Sequence, residues 1–335
     1  MREIFPMGLP LLAAFATGIW GGDLVHAPTQ GVGTVAILQP SIDQSVKWSK
    51  AYEDETYNIL ESLTRRIKPP EPRLVLWPEA AAPSYLLYER TAYQRVASMA
   101  RKTRVPTLVG CLDAAGHPGK ETVYYNAAYQ FNGDSRIHGI YRKVHLVPFG
   151  EFVPWQKYLS FLGPVITDLG QLEGGREYVS LQADGFTYSP MICYEVIFPE
   201  EVREALQTGA QALVNISNDA WYGWTASPYQ HAMMAVVRAA ETHRPLLRAS
   251  NAGISLTTDP FGKVLGASHL FERTLFTGGV ILGPDSETLY MKWGSWLPKL
   301  CLILLVGAAL WMWRKKALDG PAAGETTNPQ RPTPV

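Results

Sequence analysis

The sequence contains few cysteines, and their positions exclude the common cysteine-based structural sites. Cys111, Cys193 and Cys301 are the three thiols among 335 residues. Three thiols cannot all pair within one chain, and none has a Cys-x-x-Cys or Cys/His ligand spacing. The sequence therefore predicts neither a disulfide framework nor a metal site, we expect no cofactor, and at least one thiol is free for chemistry.

The sequence also lacks an excess of charge of either sign. Its 30 basic side chains match its 30 acidic ones, and no basic tract is present. Nucleic-acid binding needs a cationic surface that neutralises phosphates, so we expect no nucleic-acid partner. A glycine-rich phosphate-binding loop is missing as well, which argues against a dinucleotide-binding fold. The length fits one domain of about 250 residues with appendages as well as two domains.

Long hydrophobic runs occur only near the two ends. Residues 4–22 are uncharged, mostly apolar and just long enough to span a bilayer, as an uncleaved anchor or as a cleaved export signal. Residues 296–313 carry one charge, have Trp near both ends and precede Arg314-Lys315-Lys316, which predicts a transmembrane helix with a cytoplasmic C-terminus. The predicted divisions are an N-terminal anchor or signal (1–28), a catalytic domain (29–290), a transmembrane helix (291–316) and a disordered tail (317–335).

Short apolar runs and amphipathic stretches recur through the middle of the chain. This recurrence predicts an α/β or α+β sandwich. Beyond residue 262 the apolar and amphipathic stretches become too weak to predict further strands or helices. The predicted strands are 34–39, 73–77, 106–111, 122–131, 186–192, 212–217, 246–249 and 253–258, and the predicted helices are 43–67, 93–101, 199–206 and 229–243.

Cys193 lies where a predicted strand ends and the chain turns towards a helix. Asp184-Gly185 predicts a hairpin turn before that strand, and Pro199 suits the first position of the helix. A thiol just ahead of a helix N-terminus feels positive partial charge, which favours the thiolate. Cys193 is therefore a candidate nucleophile, with a small buried apolar side chain as the alternative interpretation.

Three further ionisable residues are candidates because of their positions. Glu79 directly follows a buried strand, where open α/β sheets place site residues, although a lone Glu there is often only solvated. Lys143 and Glu151 belong to residues 141–155, whose prolines and aromatics fit no regular element, and such loops often carry function. A carboxylate, an ammonium and a thiol together supply the base, the oxyanion charge and the nucleophile of acyl transfer.

Three short motifs carry a family resemblance. They are Trp77-Pro78-Glu79, Tyr141-Arg142-Lys143 and Ile192-Cys193-Tyr194-Glu195. With them the sequence resembles the nitrilase (carbon-nitrogen hydrolase) superfamily, whose Glu-Lys-Cys triad lies on an αββα sandwich. The resemblance covers about residues 34–264.

Within that superfamily the sequence is most similar to the bacterial apolipoprotein N-acyltransferases. The supporting motifs are Leu38-Gln39-Pro40, Lys47-Trp48, and residues 145–154, 216–223 and 244–248. Those enzymes precede this domain with a multi-helix membrane bundle, where this sequence has one apolar segment. The difference implies either a truncated reading frame or a slimmer relative with a changed substrate.

The resemblance implies a role for each matching residue. Glu79 would be the general base, Lys143 would stabilise the oxyanion, Cys193 would form a thioester, and the Tyr194 backbone N–H would complete the oxyanion hole. Glu151 and Glu195 match additional site carboxylates, with ordinary loop carboxylates as the alternative. The expected substrate-binding residues are Asn126 and a lipid-facing arm of Trp221, Tyr222 and Trp224, for which core aromatics are the alternative. His145 and His231 are expected to be structural.

The function implied by the resemblance is acyl transfer at a membrane. A phospholipid acyl group would move to the cysteine and then to the N-terminal diacylglyceryl-cysteine of a lipoprotein, in a periplasmic domain on the bacterial inner membrane. One alternative is a membrane-tethered amidase or nitrilase that hydrolyses a small amide. Another is a catalytically silent binding module, which the intact triad disfavours.

Overall fold

The computed structural model describes residues 28–116, 122–154 and 172–318. The predicted apolar segment 4–22 and the tail beyond residue 318 lie outside the described residues. The chain divides into two units, and the boundary falls between Lys292 and Trp293.

The first unit is built from short strands and helices, and the second contains one long helix. The strands are β1 (Gln30–Gln39), β2 (Leu74–Leu76), β3 (Ala82–Tyr85), β4 (Thr107–Ala115), β5 (Val123–Phe131), β6 (Ile137–Arg142), β7 (Leu181–Gln182), β8 (Thr187–Ile192), β9 (Ala212–Ser217), β10 (Leu246–Ser250), β11 (Leu256–Thr258), β12 (Val264–Ala267) and β13 (Thr274–Leu282). The helices are α1 (Glu53–Thr64), α2 (Arg90–Thr103), α3 (Pro199–Gln207), α4 (Ser227–Thr242), α5 (Leu289–Trp293) and α6 (Trp296–Leu318).

The strands form two mixed sheets, and each sheet has three parallel strands at its centre. The first sheet has the order β13-β1-β2-β4-β5-β6, with β3 beside β4, and the second has the order β12-β11-β10-β9-β8-β7. Strands β1, β2 and β4 run parallel at the centre of the first sheet, as β8, β9 and β10 do in the second. Carboxyl ends of parallel strands meet at one sheet edge, where ligand sites form in α/β folds. Glu79 follows β2 and Cys193 follows β8 at such edges.

Side chains alternate between the two faces of each strand, so the fold has four layers: two sheets packed against each other, with helices on the outer face of each. In β1, Val35 and Ile37 belong to the core between the two sheets, whereas Ala36 and Leu38 belong to the core that includes α1 and α2. In β9, Val214 also faces the other sheet, and its neighbour Leu213 packs in the core that includes α3 and α4. Successive strand residues point to opposite faces, so both sheets are covered on both sides. The predicted αββα sandwich is confirmed.

The predicted helix over 43–67 is shorter in the structure. The α-helix begins at Glu53, after a 3-10 turn at Lys50–Tyr52, and the preceding residues form turns. The Lys47 side chain explains the difference, because it is buried and its Nζ donates a hydrogen bond to the Glu79 backbone carbonyl oxygen at 3.0 Å. A lysine that the periodicity places on a solvated face instead anchors this segment to the sheet edge.

The last strands of the domain were not predicted from the sequence. Strand β13 pairs antiparallel with β1 along almost its whole length, from Gln30 opposite Leu282 to Gln39 opposite Thr274. Two glycines in its centre lower its intrinsic strand preference, so the strand depends on pairing with a segment about 240 residues earlier. Strands β3, β6 and β12 were also missed.

The predicted apolar C-terminal helix is confirmed as a helix. Within the part of the chain that the structure describes, α6 is the one helix that is long and apolar enough to cross a membrane. Its side chains from Leu297 to Trp313 include eleven large hydrophobic ones that are exposed. Length and composition make it a candidate span.

We predict that Gly110→Ala destabilises the domain by about 1–3 kcal/mol, the usual cost of overpacking. A Cβ on Gly110 of β4 would overlap the Pro78 carbonyl oxygen and approach the Glu79 Cα at 2.9 Å, and both are backbone atoms that cannot rotate away. Thermal unfolding measures the change. Gly279→Ala on β13 is the matched control, because its Cβ would meet only Leu265 at 3.9 Å. Equal stability of the two variants would contradict a tight fit between β4 and the Glu79 turn.

Candidate active site

The corner at Cys193 has an unusual backbone conformation. Strand β8 ends at Ile192, and Cys193 begins a 3-10 turn (Cys193–Ile197) before α3 starts at Pro199. Cys193 has a φ of 55°, which is uncommon for a residue other than glycine. The predicted hairpin, corner and helix are confirmed, and the corner presents the thiol at the edge of the second sheet.

The electrostatics of the thiol differ from the prediction of a favoured thiolate. Burial raises the pKa of Cys193 to about 12, and the negative charge of Glu79 acts in the same direction, whereas the positive charge of Lys143 opposes it. The prediction was wrong because a short 3-10 turn, and not an α-helix, follows the cysteine directly, and because the thiol lies among buried groups that include a carboxylate. A neutral thiol must lose its proton to a base before it can attack a carbonyl carbon.

Lys143 lies between two carboxylates. Its buried Nζ is 2.8 Å from Glu151 Oε2 and 3.8 Å from Glu79 Oε1. Burial alone would lower the pKa of Lys143, but the negative charges of Glu79, Cys193 and Glu151 outweigh burial and raise it above its usual value. Lys143 therefore remains an ammonium and can stabilise negative charge that develops on a substrate oxygen.

Asn126 joins the same two carboxylates. Its Nδ2 donates to Glu79 Oε1 at 2.8 Å and to Glu151 Oε1 at 2.9 Å, and its backbone carbonyl accepts from Lys143 N at 2.8 Å. Its buried Oδ1 has no hydrogen-bond partner among the described residues. The amide nitrogen of Asn126 thus holds the two carboxylates, and the substrate-binding role expected from the sequence stays a prediction.

A compact loop directs Glu151 into this cluster. The Val147 backbone N–H donates to Glu151 Oε2 at 2.8 Å, and the Glu151 N–H donates back to the Val147 carbonyl at 2.9 Å. Phe149 within the loop has a φ of 60°, in the left-handed region. These bonds fix the Glu151 carboxylate against Lys143.

Glu195 is completely buried and connects two segments that carry site residues. Its Oε1 accepts hydrogen bonds from the backbone N–H groups of Val144 at 2.7 Å and His145 at 3.1 Å, and its Oε2 accepts from the Ile192 N–H at 2.6 Å. The Tyr141 hydroxyl lies 2.8 and 2.9 Å from the two oxygens. Burial raises the pKa of Glu195 to about 7. The carboxylate therefore joins the chain after Lys143 to the chain before Cys193.

A second buried polar network, which the sequence analysis missed, lies against the Cys193 backbone. Arg248 Nη2 donates to Asp219 Oδ2 at 2.7 Å, and His231 Nδ1 is 2.9 Å from Asp219 Oδ1. His231 Nε2 lies 3.2 Å from the Cys193 carbonyl oxygen, and Asn215 Nδ2 donates to that oxygen at 3.3 Å. Burial would raise the pKa of Asp219, but the charge of Arg248 dominates and lowers it. The motifs at 216–223 and 244–248 were the available signal.

The predicted aromatic arm is exposed. Trp221 and Trp224 are 71% and 79% exposed, so the alternative of core aromatics is wrong for both. Tyr222 is less exposed and lies edge-on to His231, with ring centroids 6.2 Å apart. Tyr194, next to Cys193, packs edge-on against Phe198 at 5.0 Å. The two tryptophans present large apolar surfaces to the exterior.

The sequence is similar to a known protein family and to several named enzymes. A family model described as carbon-nitrogen hydrolase matches residues 34–283. The chain is 34% identical to an apolipoprotein N-acyltransferase of Geobacter metallireducens, covering 92% of this chain and 60% of that protein. It is 35% identical to the Brucella melitensis apolipoprotein N-acyltransferase, covering 79% and 52% of the two chains. The chain thus spans about half to three-fifths of the length of these relatives.

Solved structures share the fold at lower sequence identity. An amidase from Nesterenkonia sp. superposes with a TM-score of 0.57 at 18% identity, covering 81% of this chain and 96% of the amidase. A carbon-nitrogen hydrolase from Helicobacter pylori gives a TM-score of 0.55 at 17% identity, covering 73% and 88%. At this sequence identity, the similarity to these two structures shows a shared fold.

We predict that Glu195→Gln destabilises the domain by about 1–3 kcal/mol for each buried N–H that loses its acceptor. The amide group of Gln has one acceptor oxygen, whereas the carboxylate serves donors on both of its oxygens. Thermal unfolding measures the loss, and Glu204→Gln at an exposed position of α3 is the control. If both variants unfold at the same temperature, Glu195 is not a brace between the two segments.

Proposed function

Because the chain belongs to the carbon-nitrogen hydrolase family, we propose that it transfers a fatty acyl group from a phospholipid, through a thioester on Cys193, to the N-terminal diacylglyceryl-cysteine of a lipoprotein. The observation that carries the proposal is the convergence of Glu79 and Lys143 with a thiol whose pKa both groups influence. The acceptor class comes from the relatives at 34–35% identity, which are named apolipoprotein N-acyltransferases, and the phospholipid donor is what the sequence resemblance implies.

The first half of the proposed reaction forms the thioester. Glu79 takes the proton of the Cys193 thiol, and the thiolate attacks the carbonyl carbon of a phospholipid ester. The Lys143 ammonium and the backbone N–H of Tyr194 stabilise the oxyanion. The ester C–O bond then breaks, the alcohol leaves with the proton from Glu79, and the acyl group remains on sulfur.

The second half transfers the acyl group to nitrogen. The neutral α-amine of the acceptor attacks the thioester carbonyl, and the same groups stabilise the second oxyanion. Glu79 takes a proton from the attacking nitrogen. The C–S bond breaks, the amide product leaves, and the proton returns to Cys193.

A membrane location supports lipid chemistry over hydrolysis of a soluble amide. Trp221 and Trp224 are exposed in the turn that follows β9, and tryptophan is favoured at membrane interfaces. In the second unit, α6 carries basic residues 314–316 near its C-terminal end, which favours a cytoplasmic C-terminus and a periplasmic domain at the bacterial inner membrane. The alternative amidase would use the same triad with water as the acceptor.

We predict that incubation with a donor phospholipid adds one acyl mass to the Cys193 peptide. The mass should be released by hydroxylamine, which cleaves thioesters, and should move to a synthetic diacylglyceryl-cysteine peptide when that acceptor is added. Mass spectrometry of the peptides measures both steps. Cys193→Ser should show neither, because a hydroxyl is a much weaker nucleophile at neutral pH.

The outcome separates the candidate functions. Acyl mass on Cys111 or Cys301 would show that the nucleophile is misassigned. Rapid release of free fatty acid without an acceptor would favour the hydrolase.

We predict from the charge bias that residue 29 faces the periplasm and residue 320 the cytoplasm. Single cysteines at these two positions, on a background that lacks the native thiols, are labelled with a membrane-impermeant maleimide. Thr29→Cys should react in intact cells and Gly320→Cys only after permeabilisation. Labelling of Gly320→Cys in intact cells would overturn the proposed orientation.

A further inference from the structure

Lys47 contributes a second buried cation to the site. It comes from the segment between β1 and α1, and its side chain is 2% exposed. Among the described residues its Nζ donates one hydrogen bond, to the Glu79 carbonyl oxygen at 3.0 Å. The ring centroid of Trp48 lies 5.7 Å from this nitrogen. A buried ammonium with so few acceptors is costly unless nearby negative charge compensates it.

The negative charge that faces Lys47 belongs to the site. Glu79, in the turn after β2, and Cys193, at the corner after β8, are the titratable groups whose charges act on it. Lys143 approaches the same Glu79 carboxylate at 3.8 Å. On the segment that carries Lys47, Asp43 is exposed, and its carboxylate accepts hydrogen bonds from Ser45. Lys47 is therefore directed at the base and the nucleophile and not at a partner on its own segment.

The sum of the charges on the ionised site residues indicates the role of the Lys47 ammonium. Glu79 and Glu151 bring two negative charges, and Lys143 brings one positive charge. Transfer of a proton from Cys193 to Glu79 moves one negative charge onto sulfur without changing the sum. With Lys47 charged, the four ionised groups sum to zero before and after the transfer. Without it, the ionised groups sum to one negative charge, and the thiolate forms with one cation fewer to stabilise it.

We propose that Lys47 is a positioning residue, whose ammonium holds the Glu79 turn and balances the site's second carboxylate so that Cys193 can ionise. The role deepens the proposed acyl transfer and rests on it. The ionisation itself can be measured without any acyl donor. Loss of the Lys47 charge should therefore be visible in the chemistry of the thiol alone.

The proposal predicts that the reactivity of Cys193 depends on pH in a way that differs from an ordinary thiol. Burial lowers the pKa of Lys47 to about 8, and the negative charges of Glu79 and Cys193 limit the decrease. Below that pH Lys47 is an ammonium, and above it the charge is lost. The thiolate fraction of Cys193 should thus rise less steeply above about pH 8, whereas that of an ordinary thiol rises steadily until its own pKa is reached.

The experiment measures alkylation of Cys193 by iodoacetamide between pH 6 and 10, on the full chain in detergent. Peptide mass spectrometry follows Cys193, and a synthetic peptide with one free cysteine, added to the same sample, is the reference thiol. Lys47→Met should slow alkylation of Cys193 about tenfold or more at pH 7, since one pKa unit changes the thiolate fraction tenfold. It should also abolish the change of slope near pH 8. Lys47→Arg, which keeps its charge at every pH tested, should retain the rate at pH 7 and show no change of slope up to pH 10.

Two further variants exclude simpler explanations. Lys50→Met removes a lysine three positions away whose side chain is 79% exposed, and it should leave the Cys193 profile unchanged. Thermal unfolding of each variant shows whether it is folded. A folded Lys47→Met with the wild-type rate and profile would overturn the proposal, as would a folded Lys47→Arg that reacts as slowly as Lys47→Met. A changed alkylation profile without acyl transfer would instead reject the proposed substrate and keep the role of Lys47.

Discussion

The buried ammonium of Lys143 is the constraint on which the rest of the site depends. An ammonium removed from water costs several kcal/mol unless carboxylates and hydrogen bonds replace its solvation. Glu151 supplies the direct ion pair at 2.8 Å, Glu79 lies at 3.8 Å, and Asn126 holds both carboxylates in place. Glu79 and Lys143 follow strands β2 and β6, Glu151 lies in a loop, and Asn126 lies within β5. The first sheet and its loops therefore position the charged groups, and the second sheet places the thiol of Cys193 in their electric field.

Three of the eight non-glycine residues with a positive φ among the described residues lie around the same cluster. Ala80, immediately after Glu79, has a φ of 45°, Phe149 in the Glu151 loop has 60°, and Cys193 itself has 55°. Such conformations cost about 1–3 kcal/mol each and persist only where the surroundings hold them. For Cys193 the holding groups lie on both sides, because Glu195 binds the N–H of Ile192 and the Asp219 network contacts the Cys193 carbonyl. The buried polar networks thus stabilise a corner that local preferences oppose.

The sequence predicted what depends on local patterns and missed what depends on distant partners. Buried runs such as those before Glu79 and Cys193 identify strand ends, and the turn at Gly185 and the helix start at Pro199 are local signals. Strand β13 exists because it pairs with β1, and the burial of Lys47 follows from contact with the Glu79 turn. The high pKa of the thiol has the same origin, since it reflects groups gathered from several segments. Motif resemblance supplied the roles of residues that periodicity could not distinguish from solvated charges.

A thiol with a raised pKa has a consequence for both halves of the proposed reaction. Cys193 remains protonated until Glu79 accepts its proton, so it is a poor target for oxidants between turnovers, because the thiolate is the reactive form. The same base must then serve an amine whose ordinary pKa is about 8. The cluster around the thioester carries two carboxylates and two ammonium groups, so it holds no excess of negative charge that would keep the amine protonated. In the proposed reaction Lys143 therefore stabilises the oxyanions, and the balance of charge in the cluster leaves the neutral, nucleophilic form of the acceptor accessible.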